Sequence, residues 1–219
     1  MKQYRTYIFD LDGTLLDTLE DLYLSTNHAL RQVQLPERSL EEIRQFVGNG
    51  VRRLIERAVP DGADNPRFGE VFRLFKQHYL EHGEDHTAPY PGVLELLAAL
   101  KREGRQTAVV SNKFLPATQE LCGRFFPGVV DIAVGEHEGV RCKPAPDMVE
   151  KVLLELHADK SSAVYIGDSD VDLQTARNSG LPCVSVLWGF RDRTTLLANG
   201  ATTFISNPMQ LLQGCQTGE

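Results

Sequence analysis

No stretch of this chain approaches the roughly 18 apolar residues that a membrane-crossing helix needs, so no such helix is expected. Cysteine is sparse and unpatterned. Cys122, Cys142, Cys183 and Cys215 form no C-x-x-C pair and follow neither a disulfide framework nor a zinc spacing, so reduced thiols in an intracellular protein are expected. The N-terminus carries a basic patch but no apolar stretch long enough for a signal peptide, and the expected location is the cytoplasm. Positive charge is in deficit: 23 Lys and Arg against 30 Asp and Glu give a net charge of -7. A general nucleic-acid or membrane-surface binder needs a basic face and is excluded, whereas a small anionic substrate in a locally positive pocket is not. There are no internal repeats and no low-complexity tract. The 219 residues, 42% hydrophobic and 24% charged, have ordinary globular composition and suffice for one large domain, or a smaller core with an insertion.

The chain is organised around its first apolar run. Tyr7, Ile8 and Phe9 read as a buried strand that ends in Asp10 and Asp12, followed by Gly13 and Thr14. Residues 17–85 then carry helical spacing only. Leu19, Leu22, Tyr23, Thr26 and Leu30 recur at three and four, Pro36 ends that segment, and Ser39 with Glu42 makes a capping box. Val47-Gly48-Asn49-Gly50 is a break. Phe68, Val71, Phe72, Phe75 and Tyr79 form an aromatic stripe whose spacing predicts core packing. After Pro89, strand and helix alternate. Strands are predicted over 106–110, 129–134, 163–166 and 183–187, with a short edge strand at Phe204-Ile205, and helices between them. This alternation predicts an α/β fold with a parallel, doubly wound sheet, and a helical insertion after the first strand.

Three of the apolar runs end in polar residues: Ile8-Phe9 in Asp10, Val109-Val110 in Ser111, and Tyr165-Ile166 in Gly167-Asp168. Parallel neighbours would bring all three to one sheet edge, where open α/β sheets bind ligands. Asp172 falls in the opening turn of the next helix, and Lys143-Pro144-Ala145-Pro146 holds a lysine in a stiff loop. Asp10, Asp12, Asp168 and Asp172 bring four negative charges against the single positive charge of Lys143. Like charges ~4 Å apart repel by roughly 4 kcal/mol per pair at an effective dielectric near 20. Such a cluster calls for a divalent cation, and all-oxygen ligands suit Mg²⁺. Ser111, Thr14, Lys143 and backbone N–H groups after Asp10 are the donors available to a phosphate.

EF-hand calcium is excluded. Asp10 and Asp168 each open an Asp-x-Asp run, but Leu15 and Leu173 stand where the loop needs glycine, and Asp21 and Ser179 where it needs glutamate. His78, His82 and His86 are spaced by four, yet Gly83 interrupts the helix and no further ligand is evident, so solvent-facing histidines are expected. Asp170 reads as a helix-start acid. Arg52 and Arg53, beside the glycines at 48 and 50, suit either a substrate carboxylate or a solvated helix face.

Asp10-x-Asp12-Gly13-Thr14, Ser111-Asn112-Lys113, Lys143-Pro-x-Pro146 and Gly167-Asp168-Ser-x-x-Asp172 together resemble the four ordered motifs of the haloacid dehalogenase (HAD) superfamily, over nearly the whole chain. The resemblance implies a Rossmann-like core over residues 1–16 and 86–219, with a helical C1 cap over 17–85. The stretch from Val47 to Gly50, the Ser-Asn-Lys form of the second motif, and Trp188-Gly189-Phe190 look most like phosphoglycolate phosphatases. It further implies that Asp10 attacks phosphorus and carries an aspartyl-phosphate, and that Asp12 is the general acid and then the base. By the same resemblance Ser111 and Lys143 hold the phosphoryl oxygens. Asp10, the Asp12 carbonyl and Asp168 would ligate Mg²⁺, with Asp172 behind them holding a metal water or Lys143. Thr14, Asn112, Lys113 and Arg52 are the candidate substrate contacts.

The expected partner is a small phosphorylated metabolite, 2-phosphoglycolate first, and the expected assembly a monomer or homodimer. Rival enzymatic readings are a sugar-phosphate or nucleotide phosphatase, a pyrophosphatase and a β-phosphoglucomutase-like mutase. A phospho-receiver signalling domain would lack both Asp12 and the insertion.

Overall fold

The computed structural model describes residues 4–212; the expected thiol at Cys215 and the first residues of the N-terminal basic patch lie outside them. The chain divides into two compact units, one holding residues up to Leu15 and from Pro89 onward, the other Leu16–Ala88.

The first unit is an α/β, Rossmann-like layer structure. Its strands are β1 (Thr6–Phe9), β4 (Gln106–Phe114), β5 (Ile132–Glu136), β6 (Ala163–Gly167), β7 (Cys183–Val186) and β8 (Phe204–Ile205). They form one sheet in the order β5-β4-β1-β6-β7-β8, with every pairing parallel. Such a sheet is covered on both faces, which is why its central strands are continuous apolar runs. The helices are α5 (Val93–Arg102), α6 (Leu115–Phe125), α7 (Asp147–Glu155), α8 (Asp170–Ser179) and α9 (Arg193–Ala198). Ile8, Val110 and Tyr165 from the sheet pack with Met148, Val149 and Val152 of α7 in one buried cluster. β4 and β5 lie on one side of β1, and β6, β7 and β8 on the other, so the strand order reverses at β1. Open α/β sheets bind ligands at such a switch point, beyond the carboxyl ends of the strands.

One strand departs from expectation. β4 does not stop at Val110 but runs to Phe114, so Ser111, Asn112 and Lys113 lie within it. Its register against β5 shifts between Val110 and Phe114. An irregularity of this kind re-aims side chains, and it occurs here where the polar residues begin. β5 starts later than the apolar run suggested, because Asp131 and Val129 are engaged with Thr107 across the strand entrance.

The second unit holds α1 (Leu19–Gln32), α2 (Leu40–Phe46), α3 (Val51–Ala58) and α4 (Phe68–His82). The Ser39 and Glu42 capping box opens α2 as its spacing predicts. Phe68, Val71 and Phe75 are buried, and Phe75 stacks on Tyr79 at 5.3 Å. The short strands β2 (Leu16–Asp17) and β3 (Ala88–Pro89) pair with each other where the chain leaves and re-enters the α/β unit. Asp21 is buried and accepts from the N–H groups of His86 and Thr87 and from the Thr87 hydroxyl. That tie closes the unit's end, and no sequence spacing signals it.

Candidate active site

Asp10 is the first residue past β1, and its backbone N–H donates to the Ile166 carbonyl at 2.9 Å. The ladder between the two central strands therefore fixes where its carboxylate sits. Oδ1 of Asp10 accepts from the Leu11 N–H at 2.7 Å and lies 2.7 Å from Lys143 Nζ. Lys143 comes from the loop before α7, and Asn112 secures it there. The Lys143 N–H donates to Asn112 Oδ1 at 2.8 Å, and Asn112 Nδ2 donates to the Lys143 carbonyl at 3.0 Å. Ser111 is buried on β4, and its Oγ accepts from the Lys113 N–H at 3.1 Å.

Asp172 sits at the third position of α8 and is fully buried. Ser169 caps that helix. Its hydroxyl donates to Asp172 Oδ2 at 2.6 Å and its N–H at 3.1 Å, while the Asp172 N–H returns a bond to Ser169 Oγ. The other oxygen, Oδ1, accepts from Lys143 Nζ at 2.9 Å and from the Tyr165 hydroxyl at 3.2 Å. Asp168, one residue past β6, accepts from the Phe190 N–H at Oδ2 (2.7 Å) and from the Thr14 hydroxyl at Oδ1 (3.2 Å). Trp188 Nε1 donates to the Thr14 carbonyl at 3.0 Å. The turn after β1 and the loop after β7 thus close on Asp168 from two sides. Their approach needs glycine: Gly13 has φ +84°, and a Cβ on Gly189 would stand 2.3 Å from Asp168 Cβ.

Lysine side chains are almost never buried unpaired, yet that of Lys113 is 4% exposed, and its Nζ lies 2.9 Å from Asp12 Oδ1. The charge inventory changes accordingly. Four acids and two lysines leave a formal -2, which a single divalent cation offsets.

The electrostatics carry the same deficit. Burial first, and the charge of Asp172 second, push Asp10 well above the ordinary carboxylate range, with Lys143 opposing. The same two causes push Asp168 up to about 7, against the Phe190 N–H and Arg191. Burial alone would lower Lys143, but Asp10 and Asp172 outweigh it and hold the ammonium charged. Burial keeps the Tyr165 phenol protonated, far above its usual range.

Among the described residues, Asp10, Asp168 and Asp172 form the one group of acids and histidines able to place ligand atoms within 4.8 Å of one another. Buried, mutually repelling carboxylates with only oxygen donors fit a hard divalent cation. Each oxygen of Asp172 already accepts two hydrogen bonds, from Lys143 and Tyr165 at one and from Ser169 at the other, whereas each oxygen of Asp168 accepts one, which leaves Asp10 and Asp168 as the freer pair.

Of the residues expected at the site, the structure brings Asp10, Lys143 and Asp172 into direct contact and joins Thr14 to Asp168. Asn112 is engaged with the Lys143 backbone, and Lys113 with Asp12. Asp170 opens α8 and pairs with Arg191 at 3.5 Å. Arg52 belongs to the helical unit, its guanidinium carbon 5.1 Å from the centre of the Phe68 ring. There too His82 bonds Asp85, His86 bonds Asp21, and His78 meets the Ser25 hydroxyl. Sequence reasoning passed over Tyr165, Ser169 and the Phe190 N–H. Ser169-x-x-Asp172 does carry the spacing of a capping box, whereas an aromatic inside an apolar strand gives no sign that its hydroxyl meets ions.

Residues 7–186 match the haloacid dehalogenase-like hydrolase family. Among curated proteins, the chain is 34% identical over 188 residues to a phosphoglycolate phosphatase of Aquifex aeolicus, covering 85% of this chain and 86% of that one. It is also 34% identical over 220 residues to a phosphoglycolate phosphatase of Caulobacter vibrioides, with 97% and 91% covered. Among solved structures, a Lactobacillus delbrueckii subsp. bulgaricus protein assigned by inference as a phosphoglycolate phosphatase superposes with a TM-score of 0.91 at 36% identity, covering 95% of this chain and 97% of that one.

Proposed function

The chain belongs to the haloacid dehalogenase-like hydrolases, and from that premise we propose that it is a Mg²⁺-dependent phosphatase hydrolysing a small phosphomonoester, with 2-phosphoglycolate the first candidate. The observation that carries the reading is the buried Asp10 carboxylate, with the Lys143 ammonium 2.7 Å from its Oδ1 and a second acid, Asp12, two residues on. The names of the curated relatives support the substrate class.

In this reading Asp10 attacks phosphorus, forming an Asp10 carboxyl–phosphorus bond as the ester P–O bond breaks, and Asp12 gives its proton to the departing alkoxide. Asp12 then takes a proton from water, whose oxygen attacks the same phosphorus. Inorganic phosphate leaves and Asp10 is regenerated. Lys143 and Ser111 offset the charge on the transferring oxygens, which is most of the catalytic work in phosphoryl transfer. Asp10, Asp168 and the Asp12 carbonyl would hold Mg²⁺, which when bound supplies positive charge against the acids and the phosphoryl group. Asp172 keeps Lys143 in place, and Thr14 does the same for Asp168. Lys113, paired with Asp12, orients the acid. Residues 17–85 act as the C1 cap, with Arg52 as its candidate contact to a substrate carboxylate. Among the described residues, the free cysteines Cys122, Cys142 and Cys183 accord with a cytoplasmic setting.

Phosphate release measured over phosphoglycolate, pyrophosphate, nucleotides and sugar phosphates tests the proposal. Turnover should need Mg²⁺ and vanish in Asp10→Asn. Undiminished release by that variant would refute the assignment of the nucleophile, and no release from any phosphomonoester would refute the activity.

A further inference from the structure

We infer that Tyr165 is a positioning residue, its hydroxyl the third leg of a tripod that aims the Lys143 ammonium at Asp10. The inference rests on the phosphatase reading above and adds to it a residue with no assigned part in the chemistry.

An ammonium has three N–H donors and accepts nothing. Lys143 Nζ has three oxygen neighbours: Asp10 Oδ1 at 2.7 Å, Asp172 Oδ1 at 2.9 Å and the Tyr165 hydroxyl at 3.2 Å. The lysine side chain is 2% exposed, so a lost leg is not readily replaced by solvent. Two of the legs are carboxylates fixed from elsewhere, Asp10 by the strand ladder and Asp172 by the helix cap. The hydroxyl can do what neither carboxylate can. It accepts from Lys143 and donates to Asp172 Oδ1 at 3.2 Å, closing a ring of hydrogen bonds among the three residues.

The ring carrying that hydroxyl has little freedom. Tyr165 lies in the middle of β6, in register with Ile8 on one side and Cys183 on the other, and is fully buried. Its neighbours in the core are Ile8, Val110, Met148 and Val152. The lysine stem is the flexible partner: four carbons with no planar group to orient it. A rigid hydroxyl beside a flexible ammonium sets where the charge sits relative to Asp10. Misplacement of a reacting group by about 1 Å can cost ~100-fold in rate.

Tyr165→Phe keeps the ring and removes the leg. In the Mg²⁺-bound enzyme, kcat should fall about tenfold or more while KM changes less than about threefold, as for a charge aligned on the transition state rather than on substrate binding. The same change made in Lys143→Ala should lower kcat no further. NMR of the Lys143 ammonium gives a readout that needs no turnover. In the wild type its signal should show an NOE to the Tyr165 ring protons, and in Tyr165→Phe it should broaden or vanish. An unchanged kcat with a retained ammonium signal would overturn the inference. So would an equal loss of kcat in both backgrounds, or a wild-type signal with no contact to Tyr165. A wild type that turns over no phosphomonoester would sink the phosphatase reading instead, and the NMR contacts would still decide whether the tripod exists.

Discussion

Removing divalent metal and following stability against pH probes the acidic cluster directly. Without metal, burial and the charge of Asp172 hold Asp168 at about 7, against an ordinary value of 3.8. Between those values the folded protein keeps a proton that the unfolded chain has released. The contribution of this group is therefore greatest below the ordinary value, declines across the interval and levels off above about 7. Asp10 is displaced in the same direction by the same leading cause. Holding that proton from 3.8 up to about 7 is worth about 4 kcal/mol, or on the order of 10 °C in Tm for a protein of this size.

His78, lowered by burial, and His86, raised by its bond to Asp21, titrate nearby. The quantity to follow is thus the wild-type Tm minus that of Asp168→Asn, in which the titrating group is gone. In chelator this difference should fall as pH rises from about 4 to about 8. Saturating Mg²⁺ should flatten it, because the cation favours the ionised carboxylates. Differential scanning calorimetry of both proteins, with and without Mg²⁺, makes the measurement. A metal-free difference that stays level or rises with pH would refute the claim that Asp168 folds into a site short of positive charge.

Asn112→Ala removes both bonds to the Lys143 backbone and strands two buried polar groups at roughly 1–3 kcal/mol each. Urea unfolding should show the loss, and turnover should drop at least about tenfold as Lys143 drifts from Asp10. Gly189→Ala sets a methyl 2.3 Å from Asp168 Cβ and 2.4 Å from the Gly13 carbonyl oxygen. It should destabilise by about 1–3 kcal/mol and weaken Mg²⁺ binding by calorimetric titration; unaltered affinity would mean that the loop after β7 has no part in holding Asp168.

What the chain discloses before folding depends on how local the cause is. Asp10 and Asp168 were legible because an apolar run that ends in acid is a strand delivering a carboxylate to the sheet edge. The Ser39 cap was legible for the same local reason. The second motif was only half legible. Ser111, Asn112 and Lys113 look like residues past a strand, and only the register shift against β5 shows how polar residues continue inside it. The pairing of Lys113 with Asp12 joins residues 101 apart in sequence and is decided by sheet order, which no spacing encodes. Tyr165 was hidden by its own ring, which satisfies every expectation of a core residue.

Asp172 serves two masters, since one oxygen completes the cap of α8 and the other restrains Lys143. For an evolving sequence this makes the position hard to leave by single steps. Asparagine could go on capping the helix but would desert the ammonium, and glutamate would reset the reach of both contacts at once. Ser169, by contrast, bonds the oxygen that caps the helix and not the one that restrains Lys143. The first turn of α8 is thus a place where drift in a structural signal is checked by chemistry one hydrogen bond away.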